Sequence, residues 1–272
     1  MELIATARFK KAMDRSVAAR DYTEQLAKIL KNIAAVGGDL SHPLLKNRPT
    51  QRTAVLVLTG NRGLCGGYNS NAVKQAMGLL GQWSGDKMET HVTVSGKRGI
   101  NALKFRGITI DEEHLKFEDK PAFSEVAPIG ESYLKSYIEG GIDRLDVVYT
   151  RFVNIAKQEA VAETLLPLQP PTDDETLESP AGHLASEEYD FYPSAESILE
   201  EILPASFQSR LFKCFLDSAV SEQVARMVAM KGATENASGI IKDLSRRYNR
   251  ARQTQITGEI MEILGGVEAL KK

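Results

Sequence analysis

Residues 217–270 read DSAVSEQVARMVAMKGATENASGIIKDLSRRYNRARQTQITGEIMEILGGVEAL and contain no Pro. Apolar side chains recur there at steps of three and four, with a single step of five: Met230, Ala233, Ala237, Ile240, Leu244, Tyr248, Ala251, Ile256, Ile260, Ile263, Val267 and Leu270. This spacing predicts a helix with one apolar stripe along its side. At 1.5 Å per residue the helix is about 80 Å long. Because so long a helix cannot bury its stripe against itself, the sequence predicts a rod that needs a partner.

A second long amphipathic segment occupies residues 1–36. Its apolar positions have heptad-like spacing, two polar residues fill the gaps, and Gly37-Gly38 ends it: Ala5, Phe9, Ala12, Ala19, Leu26, Leu30 and Ile33, with Ser16 and Thr23. Two terminal helices that flank a middle domain most simply run antiparallel, so the sequence predicts an antiparallel coiled coil. An ordinary helical hairpin packed on a core accounts for the same periodicity.

The middle of the chain alternates strand and helix patterns. Strands are predicted at 53–59, 90–95, 107–110, 144–152 and 160–166, and helices at 69–83, 97–105 and 123–139. A further helix at 197–215, broken at Pro204, leads into the rod. This alternation predicts an α/β fold in which a central Rossmann-like domain with a mainly parallel sheet accompanies the coiled coil. The predicted domains are 1–36, 53–166, an acidic Pro-containing connector at 167–196, and 197–272.

Charge and cysteine content limit the function classes. The formal net charge is −2, the isoelectric point is near 6.2, and no apolar run approaches a membrane span. Cys65 and Cys214 lie far apart without metal-ligand spacing, which predicts two reduced thiols and no metal site. Four Arg residues near Tyr248 suit a nucleic-acid-binding helix, but they spread around the helix instead of forming one face. No nucleic-acid partner is therefore predicted.

A glycine-rich turn between a buried strand and a helix is the one segment that suggests an enzyme. Residues 59–69 read TGNRGLCGGYN, and phosphate-binding loops occupy such positions. A P-loop, however, requires Lys and Ser or Thr after its last Gly, where Tyr68 and Asn69 stand. A catalytic thiol at Cys65 would need a His such as His91 or His114. The alternatives are therefore a nucleotide-dependent α/β enzyme that uses residues 60–67, or a structural turn.

In the structural interpretation, five residues of this segment have roles. Gly63, Gly66 and Gly67 would adopt positive backbone dihedral angles, and Asn69 would cap the following helix. This interpretation predicts that Arg62 is exposed at the tip of the turn, where an acidic partner could reach it.

Three blocks of this sequence resemble the gamma subunit of F-type ATP synthases. Residues 62–69 (RGLCGGYN) resemble the glycine-turn motif of that family, and residues 221–237 and 248–263 resemble its C-terminal blocks. The order of a terminal helix, an α/β middle and a long terminal helix also agrees. The resemblance covers the whole chain.

The resemblance implies a central rotor shaft. The coiled coil would enter a head of alternating alpha and beta subunits, and the α/β domain would stay outside near the epsilon subunit and the membrane ring. Proton-driven rotation would force the beta subunits through their catalytic cycle, so this chain would have no active site, cofactor or metal. Arg252 and Gln253 would contact a loop of one beta subunit, and Arg62 and Cys65 would face an acidic hinge of beta.

Three further features qualify the resemblance. The family's N-terminal helix normally begins several turns earlier than Met1, so either the start is misassigned or the shaft is shorter. Gly60-Asn61 stands where the family usually has Ser-Asp, which removes a negative charge beside Arg62. The double-cysteine insert of chloroplast members is absent, which favours a bacterial protein on the cytoplasmic face of the inner membrane, without direct insertion.

Overall fold

The computed structural model describes residues 1–36, 42–46, 48–117, 120–169 and 195–270. The elements in chain order are α1 (Glu2–Val36), a 3₁₀ helix (Pro43–Leu45), β1 (Arg52–Leu58), α2 (Tyr68–Gly85), β2 (Glu89–Ser95), α3 (Lys97–Phe105), β3 (Glu112–His114), α4 (Phe123–Ile138), β4 (Arg144–Phe152), β5 (Gln158–Leu166) and α5 (Ala195–Leu270). The predicted Gly37-Gly38 helix stop and residues 170–194 of the predicted connector lie outside the described residues.

The chain forms two compact units, Met1–Met227 and Val228–Lys272. The first unit contains a five-stranded sheet in the order β3-β2-β1-β4-β5. The first four strands are parallel, and β5 pairs with β4 in the antiparallel sense. The prediction of a mainly parallel, Rossmann-like sheet is thus confirmed. The four predicted domain boundaries stay a prediction.

Both faces of the sheet are covered, which explains why β1 is apolar at nearly every position. Its even-numbered residues, such as Leu56, pack with α4 and with α5 residues such as Phe207. Its odd-numbered residues, such as Val57, pack with α2 and α3 on the opposite face, where Trp83 and Leu103 are buried. The side-chain alternation of one central strand therefore joins two separate cores.

Helix α1 runs antiparallel to the part of α5 that lies in the first unit. Ala12 packs with Val220 and Val224, and farther along α1 the hydroxyl of Thr23 lies 2.9 Å from that of Ser209. Rising residue numbers on α1 therefore meet falling numbers on α5, as predicted. Positions 5, 12 and 26 of the predicted stripe are buried, and Thr23 shows that one of its polar gaps is used for a hydrogen bond. The side chain of Ile33 lies outside the described set.

Two predicted elements are wrong. The strand predicted at 107–110 is absent from the described chain, because Gly107 and Ile108 close the C-terminus of α3 with hydrogen bonds to the carbonyls of Lys104 and Leu103. The edge strand follows instead at Glu112–His114. Helix α5 also continues through Pro204.

Burial explains why Pro204 does not break α5. A Pro inside a helix costs about 3 kcal/mol. Four large apolar side chains on the same stretch of helix are buried in the core, each contributing about 1.5–3 kcal/mol: Leu199, Leu203, Phe207 and Leu211. Packing therefore outweighs the local penalty.

Candidate partner-contact surfaces

The glycine turn, residues 60–67, follows β1 at the carboxyl edge of the sheet. Leu64 and Gly66 have positive φ values of 64° and 53°, so the predicted left-handed conformation is confirmed at Gly66. Gly63 and Gly67 do not have positive φ, which corrects the prediction for both. They are instead sites of close approach: a Cβ at Gly63 would lie 3.0 Å from Nη2 of Arg98, and one at Gly67 would lie 3.2 Å from Nδ2 of Asn71.

Asn69 joins the two ends of the turn. The predicted capping role is wrong, because α2 begins at Tyr68 and its N-cap, Gly67, makes no side-chain capping bond. The Oδ1 atom of Asn69 accepts a hydrogen bond from the Gly60 N–H at 2.8 Å, and its Nδ2 donates to the Cys65 Sγ at 3.1 Å. Asn69 therefore stabilises the turn from within.

The thiol of Cys65 points into the turn, whereas the tip of the turn is exposed. Cys65 is 2% exposed, and Leu64 beside it is 61% exposed. Burial, followed by the carboxylate of Glu222, raises the pKa of the Cys65 thiol. A protonated, buried thiol is a poor nucleophile, which argues against a catalytic cysteine. Arg62 is exposed as predicted, while contact of Arg62 and Cys65 with a partner stays a prediction.

The turn rests on α5 at both of its ends. The Tyr68 hydroxyl lies 2.7 Å from the hydroxyl of Ser218, and both side chains are buried. At the other end, a Cβ on Gly60 would lie 2.7 Å from Oε1 of Glu222. Glu222 forms a buried ion pair with Arg226, one helical turn farther along α5. Nothing local in the sequence indicates these contacts.

The first turn of α3 donates its N–H groups to the residues that follow β1. Lys97 N–H donates to Oδ1 of Asn61, Arg98 N–H to the carbonyl of Gly60, and Gly99 N–H to the hydroxyl of Thr59. A phosphate bound at a helix N-terminus needs such donors. These donors are engaged here, so the N-terminus of α3 offers no phosphate site at this edge of the sheet.

Asn61 forms three side-chain hydrogen bonds that the sequence did not predict. Besides accepting from Lys97, its amide nitrogen donates to the carbonyls of Leu115 and Phe117, each at 3.0 Å. The sequence alone indicates only that Gly60-Asn61 lacks a negative charge that the family usually has. The amide here donates two hydrogen bonds that an ionised carboxylate could not donate.

The second unit is a helical segment whose side chains are largely exposed to solvent. Every described side chain from residue 233 to 270 is exposed. The exposed set includes large apolar residues of the predicted stripe: Ile240, Leu244, Tyr248, Ile256, Ile260, Ile263, Val267 and Leu270. Arg252 and Gln253 lie on this segment and are exposed. Their predicted contact with a beta subunit stays a prediction.

The described residues include neither a metal-binding cluster nor a membrane-spanning helix. No group of three or more His, Cys, Asp or Glu residues in that part of the chain could hold a metal ion. None of the helices described is both long enough and apolar enough to cross a membrane.

The fold and these surfaces define a class of protein: an α/β protein with a long C-terminal helix whose apolar side chains are exposed over residues 233–270. Comparison with known proteins identifies the family. The ATP synthase family model matches residues 1–270. The ATP synthase gamma chain of Rhodopirellula baltica is 58% identical over 272 residues, which is 100% of this chain and 92% of that protein. The gamma chain of Frankia casuarinae is 40% identical over 275 residues, covering 99% and 91%. This chain belongs to the ATP synthase gamma chain family.

Solved structures support the same fold. The central stalk and c-ring structure of the Tetrahymena thermophila mitochondrial ATP synthase contains a chain with a TM-score of 0.61 and 17% identity, covering 86% of this chain and 97% of that one. A chain in the Euglena gracilis mitochondrial ATP synthase has a TM-score of 0.59 and 17% identity, covering 97% and 95%.

Proposed function

We propose that this chain is the central rotor shaft of a bacterial F-type ATP synthase. It links proton-driven rotation of the membrane ring to the conformational cycle of the catalytic beta subunits, and it carries no active site of its own. The single observation that carries the proposal, beside family membership, is the long helical segment of the second unit, whose apolar stripe is exposed from Ala233 to Leu270.

The energetics of that segment favour a role inside an assembly. Residues 228–270 span about 65 Å as a helix. Helices in water gain most of their stability from packing an apolar face, and each large apolar side chain contributes about 1.5–3 kcal/mol when it is buried. Ile256, Ile260 and Ile263 remain 43%, 51% and 67% exposed, so much of this burial free energy is not realised in the chain alone. A surrounding ring of alpha and beta subunits would supply the missing burial.

The contacts with the beta subunits use two regions. Arg252 and Gln253 contact a loop of one beta subunit, because a guanidinium fork suits a carboxylate and a side-chain amide offers both donor and acceptor. The glycine turn faces an acidic hinge of beta, with exposed Arg62 as its cationic group. Cys65 lies just beneath the exposed Leu64, so in this proposal the thiol reports on the contact instead of forming it.

Different faces of the shaft would present different groups to each beta subunit. A rotor changes the conformation of its neighbours only through contacts that differ between their states. Arg246, Arg247, Arg250 and Arg252 spread around the helix, so rotation carries positive charge past each beta subunit in turn. The epsilon subunit and the membrane ring are the further partners. The similarity to bacterial gamma chains supports a peripheral position on the cytoplasmic face of the inner membrane.

Co-expression with the alpha and beta subunits of the same organism tests this function. We expect a stable complex that hydrolyses ATP, and no ligand-dependent thermal shift when the isolated chain is mixed with ATP or NAD. Replacing Ile256, Ile260 and Ile263 by Ser should reduce recovery of the complex at least several-fold. The matched control replaces Glu259 and Glu262, which are also exposed on this helix, by Ser. This control should leave recovery of the complex unchanged. A nucleotide-dependent shift, or equal recovery of both variants, would contradict the proposal.

A further inference from the structure

We propose that the tip of the β4–β5 hairpin, residues 153–157, is a second contact point between this chain and a beta subunit. It supplies apolar contacts beside the cationic contact of the glycine turn. The inference deepens the proposed function and rests on it, because the glycine turn is there taken to meet the acidic hinge of beta. None of the sequence motifs that indicate the family includes this hairpin.

The hairpin tip exposes two apolar side chains. Val153 is 47% exposed and Ile155 is 52% exposed, with the exposed Asn154 between them. A single exposed apolar residue is common on protein surfaces and needs no explanation. Two of them on a loop that is held in one shape form a surface that a partner can bury with little loss of conformational entropy.

Hydrogen bonds within the tip hold it in one shape. Oδ1 of Asn154 accepts from the N–H groups of Ala156 and Lys157 at 2.9 and 2.8 Å. Nε2 of Gln158 donates to the carbonyls of Asn154 and Ile155 at 2.9 and 2.8 Å. Because these polar groups already bond to one another, the apolar side chains are the groups that the tip chiefly offers to a partner.

The base of the hairpin is attached to both long helices. The carbonyl of Thr150 accepts a hydrogen bond from the hydroxyl of Ser221 on α5 at 3.0 Å. Phe152 lies beside Phe9 of α1, with the ring centroids 6.3 Å apart, and both rings pack against a small core that includes Val220 of α5. The tip therefore holds a fixed position relative to the part of α5 that lies in the first unit.

The hairpin tip lies beside the glycine turn. Strands β1 and β4 are parallel neighbours whose paired residues include Val57 and Val148, so the segments that follow them leave the same edge of the sheet, and such strands are about 4.8 Å apart. The glycine turn reaches α5 at Ser218 and the hairpin reaches it at Ser221, about 4.5 Å farther along the helix. A protein that covers one of these tips therefore lies next to the other.

The two tips differ in chemistry, and this difference specifies the surface of the partner. Arg62 is an exposed cationic group of the glycine turn. At the hairpin, Lys157 forms an ion pair with Glu159 at 2.6 Å, so its charge is compensated within the chain. The surface of beta that meets the hairpin is therefore apolar and adjoins the acidic hinge.

Photo-cross-linking in the complete ATP synthase identifies the partner of the hairpin. A benzophenone amino acid in place of Ile155 should attach the chain to beta on illumination, and mass spectrometry should place the attachment next to the acidic hinge. The matched control carries the same amino acid in place of Phe105, which is 90% exposed. Because Phe105 ends α3, which begins at the carboxyl edge and runs back along the sheet, the control should give no beta product.

Loss of the apolar contact should also weaken the complex. Val153→Ser combined with Ile155→Ser should increase the rate at which the chain dissociates from the complex with alpha and beta about tenfold, because two apolar side chains are no longer buried there. Phe105→Ser is the matched control and should leave this rate unchanged. The melting temperatures of the isolated chains should stay close to the wild-type value, since these positions are about half exposed or more.

The outcomes distinguish this inference from the proposed function. A cross-link to alpha, to epsilon or to the membrane ring, or no cross-link in an assembled and active enzyme, would show that the hairpin contact with beta is wrong while the rotor function stands. Equal dissociation rates for the double variant and the wild type would overturn the contact as well. If the wild-type chain does not assemble with the alpha and beta subunits, the proposed function fails and this inference fails with it.

Discussion

Replacement of Asn61 by Ala should destabilise the first unit, because one side chain makes three hydrogen bonds at the base of the glycine turn. Its Oδ1 accepts from Lys97 N–H at 2.9 Å, and its Nδ2 donates to the Leu115 and Phe117 carbonyls at 3.0 Å each. Alanine removes all three. The variant should therefore release the turn both from α3 and from the segment that precedes α4.

The expected magnitude follows from the count of bonds and their exposure. A net contribution of about 0.5–1.5 kcal/mol per hydrogen bond gives an upper limit of about 4.5 kcal/mol for the three bonds. Asn61 is half-buried and Leu115 is exposed, so water compensates in part, and a loss of about 2 kcal/mol is expected. Asn61→Asp keeps the acceptor for Lys97 and places a negative charge at the N-terminus of α3, which is worth about 0.3–1 kcal/mol. It should lose about 1 kcal/mol.

Urea unfolding followed by tryptophan fluorescence measures these losses. Trp83 is the only tryptophan; it lies on α2 and is buried in the core that α2 and α3 form with the sheet, so its emission reports on the first unit. With a slope of about 2 kcal/mol per molar urea, Asn61→Ala should unfold at about 1 M less urea than the wild type. Asn101→Ala, an exposed position on α3, is the control and should not lower the midpoint. An unchanged midpoint for Asn61→Ala would refute the reasoning.

Three further predictions concern other regions. Arg252→Ala should lower ATPase turnover per assembled complex more than it lowers assembly; unchanged turnover would remove the proposed beta contact. A cysteine placed in the beta hinge should cross-link to a Leu64→Cys variant at least several-fold faster than to Cys65, because residue 64 is exposed and the Cys65 thiol is buried; equal rates would show that the turn opens in the complex. Burial raises the pKa of Asp217 from 3.8 to about 6 against the opposing effect of Lys213, so the native state holds this proton more tightly than the unfolded chain. The free energy of unfolding should therefore fall by about 3 kcal/mol as pH rises from about 4 to 6, at 1.36 kcal/mol per pKa unit. Asp217→Asn should abolish this pH dependence. Urea midpoints of both proteins at pH 4 and pH 7 test the prediction.

Elements with a strong periodic pattern could be predicted from the sequence. The heptad-like spacing of α1 places Ala5, Ala12 and Leu26 on one buried side, as the structure confirms. The continuous apolar run of β1 indicated a strand covered on both faces. Such patterns are local, because burial of a helix face or of a strand repeats every few residues. The family was likewise recognisable from contiguous motifs at 62–69, 221–237 and 248–263.

Where the local preference of a residue and its tertiary contacts favour different structures, the tertiary contacts determine the structure. Pro204 predicted a break in α5, but the burial of Leu203 and Phe207 on either side of it outweighs the lost hydrogen bond. Asn is a residue type that often caps helices. The side chain of Asn69 instead forms hydrogen bonds with Gly60 and Cys65. A residue type indicates which bonds are possible, and only its neighbours in space determine which bonds form.

The sequence by itself determined the α/β class, the two long terminal helices, the family and the location of the glycine turn. Only the tertiary structure revealed what holds that turn: Asn61 bonded to the segment after β3, Tyr68 bonded to Ser218, and Gly60 against Glu222. Tyr68 and Ser218 are 150 residues apart, and contacts at such separation leave no periodic signal in the chain. They exist because β1 and α5 pack on one another, which depends on the whole core and not on any one segment.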